Sequence, residues 1–485
     1  MSVGVRDHAM VVGGTWAESE SGARFEAWSP ATGEPLGTLP EGTREDAARA
    51  IAAANEGWRD WAGRSAFERA AALERVADLV EERRDDLAMT LTRDQGKPLH
   101  AEAYGEVEEL VVYFRMAAAD ATRLGGSMPP SVSADKRILA YRVPRGVVGV
   151  ITPWNWPYTM PAELIAPALA AGNAVVWAPA PSTSVCAVKL AECIVDAELP
   201  RGVFSMVTGP GPVVGDEIAG NPGTHAVGFI GSVATGLHVA RRAAAKAVLL
   251  ELGGNGPMVV LEDADVAAAA EASLAASFLC AGQSCTAGER FLVHEAVLDE
   301  FVELLRQAVA REIRLGDPFA RETTMGPLNN EPTAAKTDRH VADALERGAA
   351  LVTGGARAAG FPTALYWEPT VMTGVTEEME IAREETFGPV VPVTAIASDE
   401  EALALANASP YGLLTAVWTR DLARGLRFAE AVEAGWVNVN ESTNYWESQL
   451  PFGGRAGSAS GVGRVGGASV LEAFTEPKTV VLTLG

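Results

Sequence analysis

Cys285 lies in the run Gly282-Gln283-Ser284-Cys285-Thr286-Ala287-Gly288-Glu289-Arg290. A thiolate adds readily to an electrophilic carbon once its pKa is lowered. Gly282 and Gln283 allow a turn before the cysteine, and helical spacing resumes after Thr286. A helix N-terminus is therefore expected to assist ionisation. Upstream, Glu251 follows the apolar run Ala247-Val248-Leu249-Leu250 and precedes Gly253 and Gly254. A carboxylate at the end of a buried strand should have a raised pKa, which suits a general base. Asn155, in Pro153-Trp154-Asn155-Trp156-Pro157, can aim an amide donor at a developing oxyanion, with the Cys285 N–H as its companion. Each residue alone also has a plainer reading: a buried thiol, a capping carboxylate, an Asn in a tight turn. Together, a thiol, a base and an amide donor are parts needed to oxidise an aldehyde through a covalent thioester.

Such parts need a frame to hold them. From Val147 onward, short apolar runs alternate with helical ones. Strands are expected at 147–152, 174–178, 203–207, 226–230 and 247–252, with helices around 162–170, 184–196, 213–219 and 236–245. Continuous apolar strands with helical crossovers imply a parallel sheet covered on both faces, with ligands at the carboxyl ends of its strands. A second αβ series runs from about Val266 to Asn440. Earlier, Thr43 opens an amphipathic helix that places Ala47, Ile51, Ala54, Trp58 and Trp61 on one face. Ser65 and Glu68 form a capping box for the next helix. Leu73, Val76, Val80 and Leu87 then keep helical spacing until Gly96-Lys97-Pro98 stops the run. The segments 137–143 and 479–484 read as short strands without a neighbour, and are expected to build an intersubunit sheet. The Gly/Ser-rich 453–467 stretch reads as a linker.

Composition narrows the function classes. The 485 residues carry a net charge of −24, which argues against a nucleic-acid partner. No segment is long and apolar enough for a membrane span, and no signal peptide is visible, so a reducing cytoplasm is expected. Four cysteines are too few for a disulfide framework, and Cys280-x4-Cys285 lacks a nearby His pair, so no metal is expected. The glycine signals are weak: Gly209–Gly215 departs from the dinucleotide fingerprint, while Gly231–Gly236 could present amides to a pyrophosphate.

These motifs resemble the aldehyde dehydrogenase superfamily over nearly the whole chain. The resemblance implies a Rossmann-like parallel-sheet cofactor domain (1–121 with 145–252), an α/β catalytic domain (253–460) and a small bridging β oligomerisation domain (122–144 with 468–485). It implies a homodimer or homotetramer. Cys285 becomes the nucleophile, Glu251 the base for the hydrolytic water and Asn155 the oxyanion donor. Glu385, in Glu384-Glu385-Thr386-Phe387-Gly388-Pro389, would hold the nicotinamide-side ribose, and Phe387 would pack near the nicotinamide. Ile151, Thr152, Trp154, Ala178, Pro179, Pro181, Gly211, Gly215, Phe229, Ser232, Leu252 and Gly253 fall at cofactor positions. Trp156, Met160, Glu163, Ser284, Thr286, Tyr445 and Trp446 fall on the substrate funnel, which Pro451-Phe452-Gly453-Gly454 closes.

One departure bears on the cofactor. Family members usually read Val-Val-x-Lys-Pro-Ser-Glu where this chain has Val175-Val176-Trp177-Ala178-Pro179-Ala180-Pro181. Losing the lysine's charge-assisted hydrogen bond costs about 1.5–3 kcal/mol, roughly ten- to hundredfold in affinity. NAD is expected, with NADP open, because 178–181 offers no positive charge to a 2′-phosphate. For substrate, Trp and Tyr suggest a bulky aldehyde, Glu163 and Glu447 a cationic one, and Arg115 a dicarboxylic semialdehyde; the plainer reading leaves the glutamates facing solvent. Two other function classes stand beside hydrolytic aldehyde oxidation: a coenzyme A-acylating enzyme, and a non-catalytic member with weakened cofactor binding.

Overall fold

A computed structural model of the protein describes residues 6–484; residues 1–5 and 485, which the first and third expected domains include, lie outside them. The fold is α/β. Its first sheet has eight strands, of which Ala247–Glu251, Ala226–Ile230, Val147–Ile151, Ala174–Ala178 and Phe204–Met206 lie side by side in that order and run parallel. Alternate residues serve opposite faces. Val148, Val150, Val175 and Trp177 join the core beneath the helix Thr159–Ala170. Val147, Ile151, Ala174 and Val176 join the one beneath the helix Arg44–Gly63. With apolar packing on both faces, these strands are apolar except at Ser205 and the terminal Glu251, which is why the sequence shows nearly continuous apolar runs.

Strand order reverses at Val147–Ile151. The next two strands in the chain add on one side of it, and Ala226–Ile230 returns to its other side. Such a switch point opens a crevice at the carboxyl ends of the two strands. Asn155 follows one of these strands and Ser232 the other.

The second sheet has seven strands, six of them parallel, with Pro257–Val260 and Arg290–His294 near its centre. The third joins Lys136–Pro144 to Thr475–Thr483 in an antiparallel ladder, with Gly126–Ser127 on the far side. The two segments read as lacking a neighbour are therefore each other's partners. A separation of more than 300 residues hides such a pairing from local pattern.

Two further expectations are corrected. The 453–467 stretch is no linker: Gly461–Val462 adds an antiparallel edge to Ala247–Glu251, and Ser460 Oγ donates to the Gly253 carbonyl at 2.8 Å. Its glycines serve close approach, since a side chain at Gly461 would collide with the Leu250 carbonyl. The early helical run also divides, into Ala66–Glu82 and Arg84–Asp94, so Leu87 belongs to a separate helix. The capping box of Ser65 and Glu68 forms as expected, and Thr43 caps Arg44–Gly63 in the same way with Asp46.

Candidate active site

The thiol comes from a strained loop. After the helix Val266–Phe278, Cys280, Ala281 and Gly282 take φ values of 52°, 53° and 75°. Two successive non-glycine residues in the left-handed region persist only where their surroundings hold them. Here both oxygens of the buried Glu102 accept the Cys280 N–H at 3.1 Å, and Gln95 Nε2 donates to Cys280 Sγ at 3.3 Å. Gln283 Nε2 donates to the Cys280 carbonyl at 2.7 Å. Asn155 Nδ2 donates to the Gln283 carbonyl at 3.0 Å, tying the first sheet to this loop. Cys280 is thus a buried structural thiol, pushed up to about 12 chiefly by burial.

Cys285 follows in a turn and is half-buried. Chain direction then leads into the strand Arg290–His294, so no helix begins after Thr286. The expected helix dipole is absent because Ala287, Gly288 and Glu289 dive back beneath the loop: Gly288 N–H bonds the Ala276 carbonyl at 2.9 Å. Nor is the resting thiol acidified. Burial first, then the carboxyls of Glu251 and Glu385, push it well above its ordinary value. Its own N–H has no acceptor among the described residues.

Glu251 ends its strand 4% exposed, and its Oε1 is buried without a partner. Burial pushes it up to about 8, against the pull of the neighbouring Cys285 thiol and with a push from Glu385. Gly254 makes the juxtaposition sterically feasible, because any side chain there would strike the Cys285 carbonyl.

Two cavities, of about 230 and 190 Å³, meet at these groups: Cys285, Glu251, Met160 and Ile230 line both. The first holds Trp156, Glu163, Ser284, Thr286 and Trp446 of the expected substrate residues, and also Phe452. Tyr445 is not among them. It is 46% exposed, and its hydroxyl donates to Glu447 at 2.8 Å outside the cavity. Arg115 is likewise elsewhere, paired at the surface with Asp78 and Glu81. Glu163 does not face solvent; it is 6% exposed in the cavity wall. Sequence reasoning missed Glu109, Tyr113 and Asn444 in this wall. Glu109 and Tyr113 are four residues apart on the helix Tyr104–Ala121, a spacing that signals a shared face. Asn444 carried no local signal; its Oδ1 accepts from both Ser284 and Thr286.

The second cavity gathers Trp154, Ser232, Leu252, Gly253, Glu385 and Phe387 of the expected cofactor residues, with Asn155 and the unforeseen Lys336. Ile151, Ala178, Gly215 and Phe229 are buried, and Thr152 Oγ1 accepts from Trp177 Nε1 at 2.8 Å. Pro179 is buried too, while Pro181 and Gly211 are exposed. None of these eight lines the cavity. Glu385 Oε1 accepts from the Gly254 N–H at 3.0 Å; burial raises its pKa, and Lys336 opposes that. Glu289 holds this loop: its two oxygens accept the N–H groups of Thr386 and Phe387 at 2.8 and 2.9 Å. Phe387 sits at φ 63° and meets Trp154 edge to face, ring centres 5.7 Å apart.

Comparison with known proteins agrees with this geometry. The pattern of the aldehyde dehydrogenase family matches residues 16–480. A Pseudomonas putida protein named 3-sulfolactaldehyde dehydrogenase is 39% identical over 473 residues, covering 97% of this chain and 96% of its own. The NADP(+) succinate-semialdehyde dehydrogenase GabD of Escherichia coli (strain K12) is 38% identical, covering 98% and 97%. The solved structure of succinate-semialdehyde dehydrogenase from Burkholderia pseudomallei superimposes with a TM-score of 0.95 at 41% identity, covering 98% of each chain. By fold and by sequence, the chain belongs to the aldehyde dehydrogenase family.

Proposed function

We propose that this protein oxidises an aldehyde to its carboxylic acid with NAD(P), through a thioester on Cys285. The observation that carries this reading is the shared seam: one thiol and one carboxyl group line both cavities. An aldehyde in the first cavity meets the sulfur there. The Cys285 thiolate, its proton given up to solvent water, adds to the carbonyl carbon, and the oxyanion rests on the free Cys285 N–H and the second amide proton of Asn155. The second cavity fits a dinucleotide's nicotinamide end: a half-buried carboxylate for ribose hydroxyls in Glu385, an aromatic ring in Phe387, and Ser232 capping the helix Val233–Ala243. When bound, NAD(P) supplies the acceptor for the hydride leaving the substrate carbon. Glu251 takes a proton from water, whose oxygen attacks the thioester carbon and releases the acid and the thiol.

The facing of Glu251 and Cys285 favours water over coenzyme A as acyl acceptor. NAD is the preferred cofactor in this reading, since Ala178 is buried and neither it nor Pro181 brings a charge to a 2′-phosphate. The domains keep the division 1–121 with 145–252, 253–460, and 122–144 with 468–485. An aldehyde panel run against NAD and NADP, followed by NAD(P)H absorbance, tests the proposal. No absorbance with any aldehyde would refute it.

The pH profile has a defined sign. Glu251 must be ionised to accept a proton, and its pKa is pushed up to about 8. Steady-state kcat should therefore climb as pH rises through about 8 and level off above it. A profile already flat between pH 6 and 9 would remove Glu251 as the rate-limiting base.

Assembly as a homodimer or homotetramer belongs to the same reading. The strand Thr475–Thr483 ends the third sheet, with Val481 54% and Leu482 45% exposed along its free edge. Light scattering should give at least twice the 50.7 kDa chain mass; a monomer mass would end this part. Among the described residues no helix is long and apolar enough to cross a membrane. All four cysteines are free, which suits the reducing cytoplasm proposed for it.

A further inference from the structure

The wall of the substrate cavity carries an acidic, aromatic lining that the proposed oxidation itself does not require. Glu163, on the helix Thr159–Ala170, is more than nine-tenths buried. One of its oxygens accepts from the Tyr113 hydroxyl at 3.4 Å; the other has no partner among the described residues. Glu109, also in the wall, makes no ion pair or hydrogen bond among the described residues. The rings of Trp156, Trp446 and Tyr113 line the same space. No Lys, Arg or His lines it.

The cation behind the Trp156 ring is already committed. Lys97 Nζ lies 3.7 Å from the centre of the Trp156 ring, but it is buried and bonds Glu106 at 2.6 Å, with Glu102 also close. Two carboxyls against one ammonium leave no surplus positive charge behind the ring. The remaining carboxyls crowd one another. Burial, then Glu251 and Glu109, push Glu163 well above the usual carboxylate range, and burial with Glu106 pushes Glu109 up to about 7. Like charges gathered in one cavity with no counter-ion describe a site short of a positive partner.

Resting on the oxidation proposed above, we infer that the substrate is a cationic aldehyde, its ammonium group held by Glu163 and Glu109 among the rings of Trp156, Trp446 and Tyr113. An ammonium over an aromatic face, with a carboxylate in reach, is a favoured arrangement in a desolvated pocket. An anionic tail, such as that of succinate semialdehyde, would enter beside three carboxyl groups, Glu251 included, and no cation. The relatives named for 3-sulfolactaldehyde and succinate semialdehyde thus share the fold and family while this chain's wall is built for the opposite charge.

The test compares 3-aminopropanal with butanal, its neutral isostere, and with 4-oxobutanoate, an anion. On kcat/KM, 3-aminopropanal should lead butanal by roughly tenfold and 4-oxobutanoate by roughly a hundredfold or more. In Glu163→Gln, and separately in Glu109→Gln, the ratio of 3-aminopropanal to butanal should fall about tenfold. Taking the ratio within each variant cancels any loss of folded enzyme. A wild-type preference for butanal or 4-oxobutanoate would overturn the inference, as would a ratio unmoved in both variants. If none of the three aldehydes yields NAD(P)H while other aldehydes do, the charge reading fails alone; if no aldehyde does, the oxidation reading fails with it.

Discussion

Cys285→Ala is expected to abolish NAD(P)H production from every aldehyde, a loss on the order of 10⁴–10⁶-fold in kcat. No other thiol can stand in. Cys186 and Cys193 are fully buried in the first core, and Cys280 is locked beneath the loop by Gln95, Gln283 and Glu102. Stability should change little, because Cys285 faces two cavities and its removal opens no new void in packed core. Cofactor binding should also survive, since Trp154, Ser232, Glu385 and Phe387 sit on other segments. The experiment therefore pairs steady-state turnover with a cofactor titration followed by tryptophan fluorescence. A variant that binds NAD(P) but forms no product is the expected result. Retention of even a few per cent of wild-type turnover would place the nucleophile elsewhere.

Glu251→Gln should separate the two halves of the reaction. The amide is nearly isosteric and neutral, and Glu251 already sits buried with one oxygen unpartnered, so the fold should tolerate the change. Loss of the base should slow thioester hydrolysis by roughly 10²–10⁴-fold. Acylation should still occur, because the sulfur, the Cys285 N–H and Asn155 remain. Rapid mixing should show a burst of NAD(P)H approaching one equivalent per active site, followed by a slow steady state. The rate of that burst should increase with pH, since burial holds the Cys285 thiol well above its ordinary pKa and more thiolate forms as pH rises. Steady-state turnover equal to wild type would show that another group activates the water. A burst lost in proportion to turnover would instead assign Glu251 to the addition step.

Much of the fold and of the candidate site is legible in the sequence. The five parallel strands were legible because each is apolar save for Ser205 in one and the terminal Glu251 in another, a pattern that burial on both faces imposes. The helix starts at Thr43 and Ser65 were legible because capping is a local exchange of hydrogen bonds. The candidate nucleophile, base and amide donor were legible as motifs, because the glycines beside them stand where backbone segments approach closely, Gly254 against the Cys285 carbonyl and Gly282 against that of Gly388.

Other features depended on chain segments far apart in sequence. Tyr445 carried the right chemistry for the funnel, yet its neighbour Trp446 is the one turned inward, packing against Phe452 with ring centres 5.5 Å apart. Arg115 is on the same helix as Tyr113 and Glu109 but on the face that meets Glu81. The electrostatics were less legible still. A thiol expected to be acidified by a helix dipole is raised by burial and by two carboxyl groups drawn from remote segments.

The amino-acid sequence alone was enough to determine the α/β architecture of the central strands and to nominate a candidate nucleophile, base and amide donor. Periodicity and capping express short-range physics, and a single chain carries all of it. Only the tertiary structure decided that Glu251 and Cys285 share a seam between two cavities, that the strands near residues 140 and 480 pair with each other, and that Glu109 and Glu163 face one space without a cation. Those outcomes turn on which distant segments exclude water from one another, and charge and pKa follow from that exclusion.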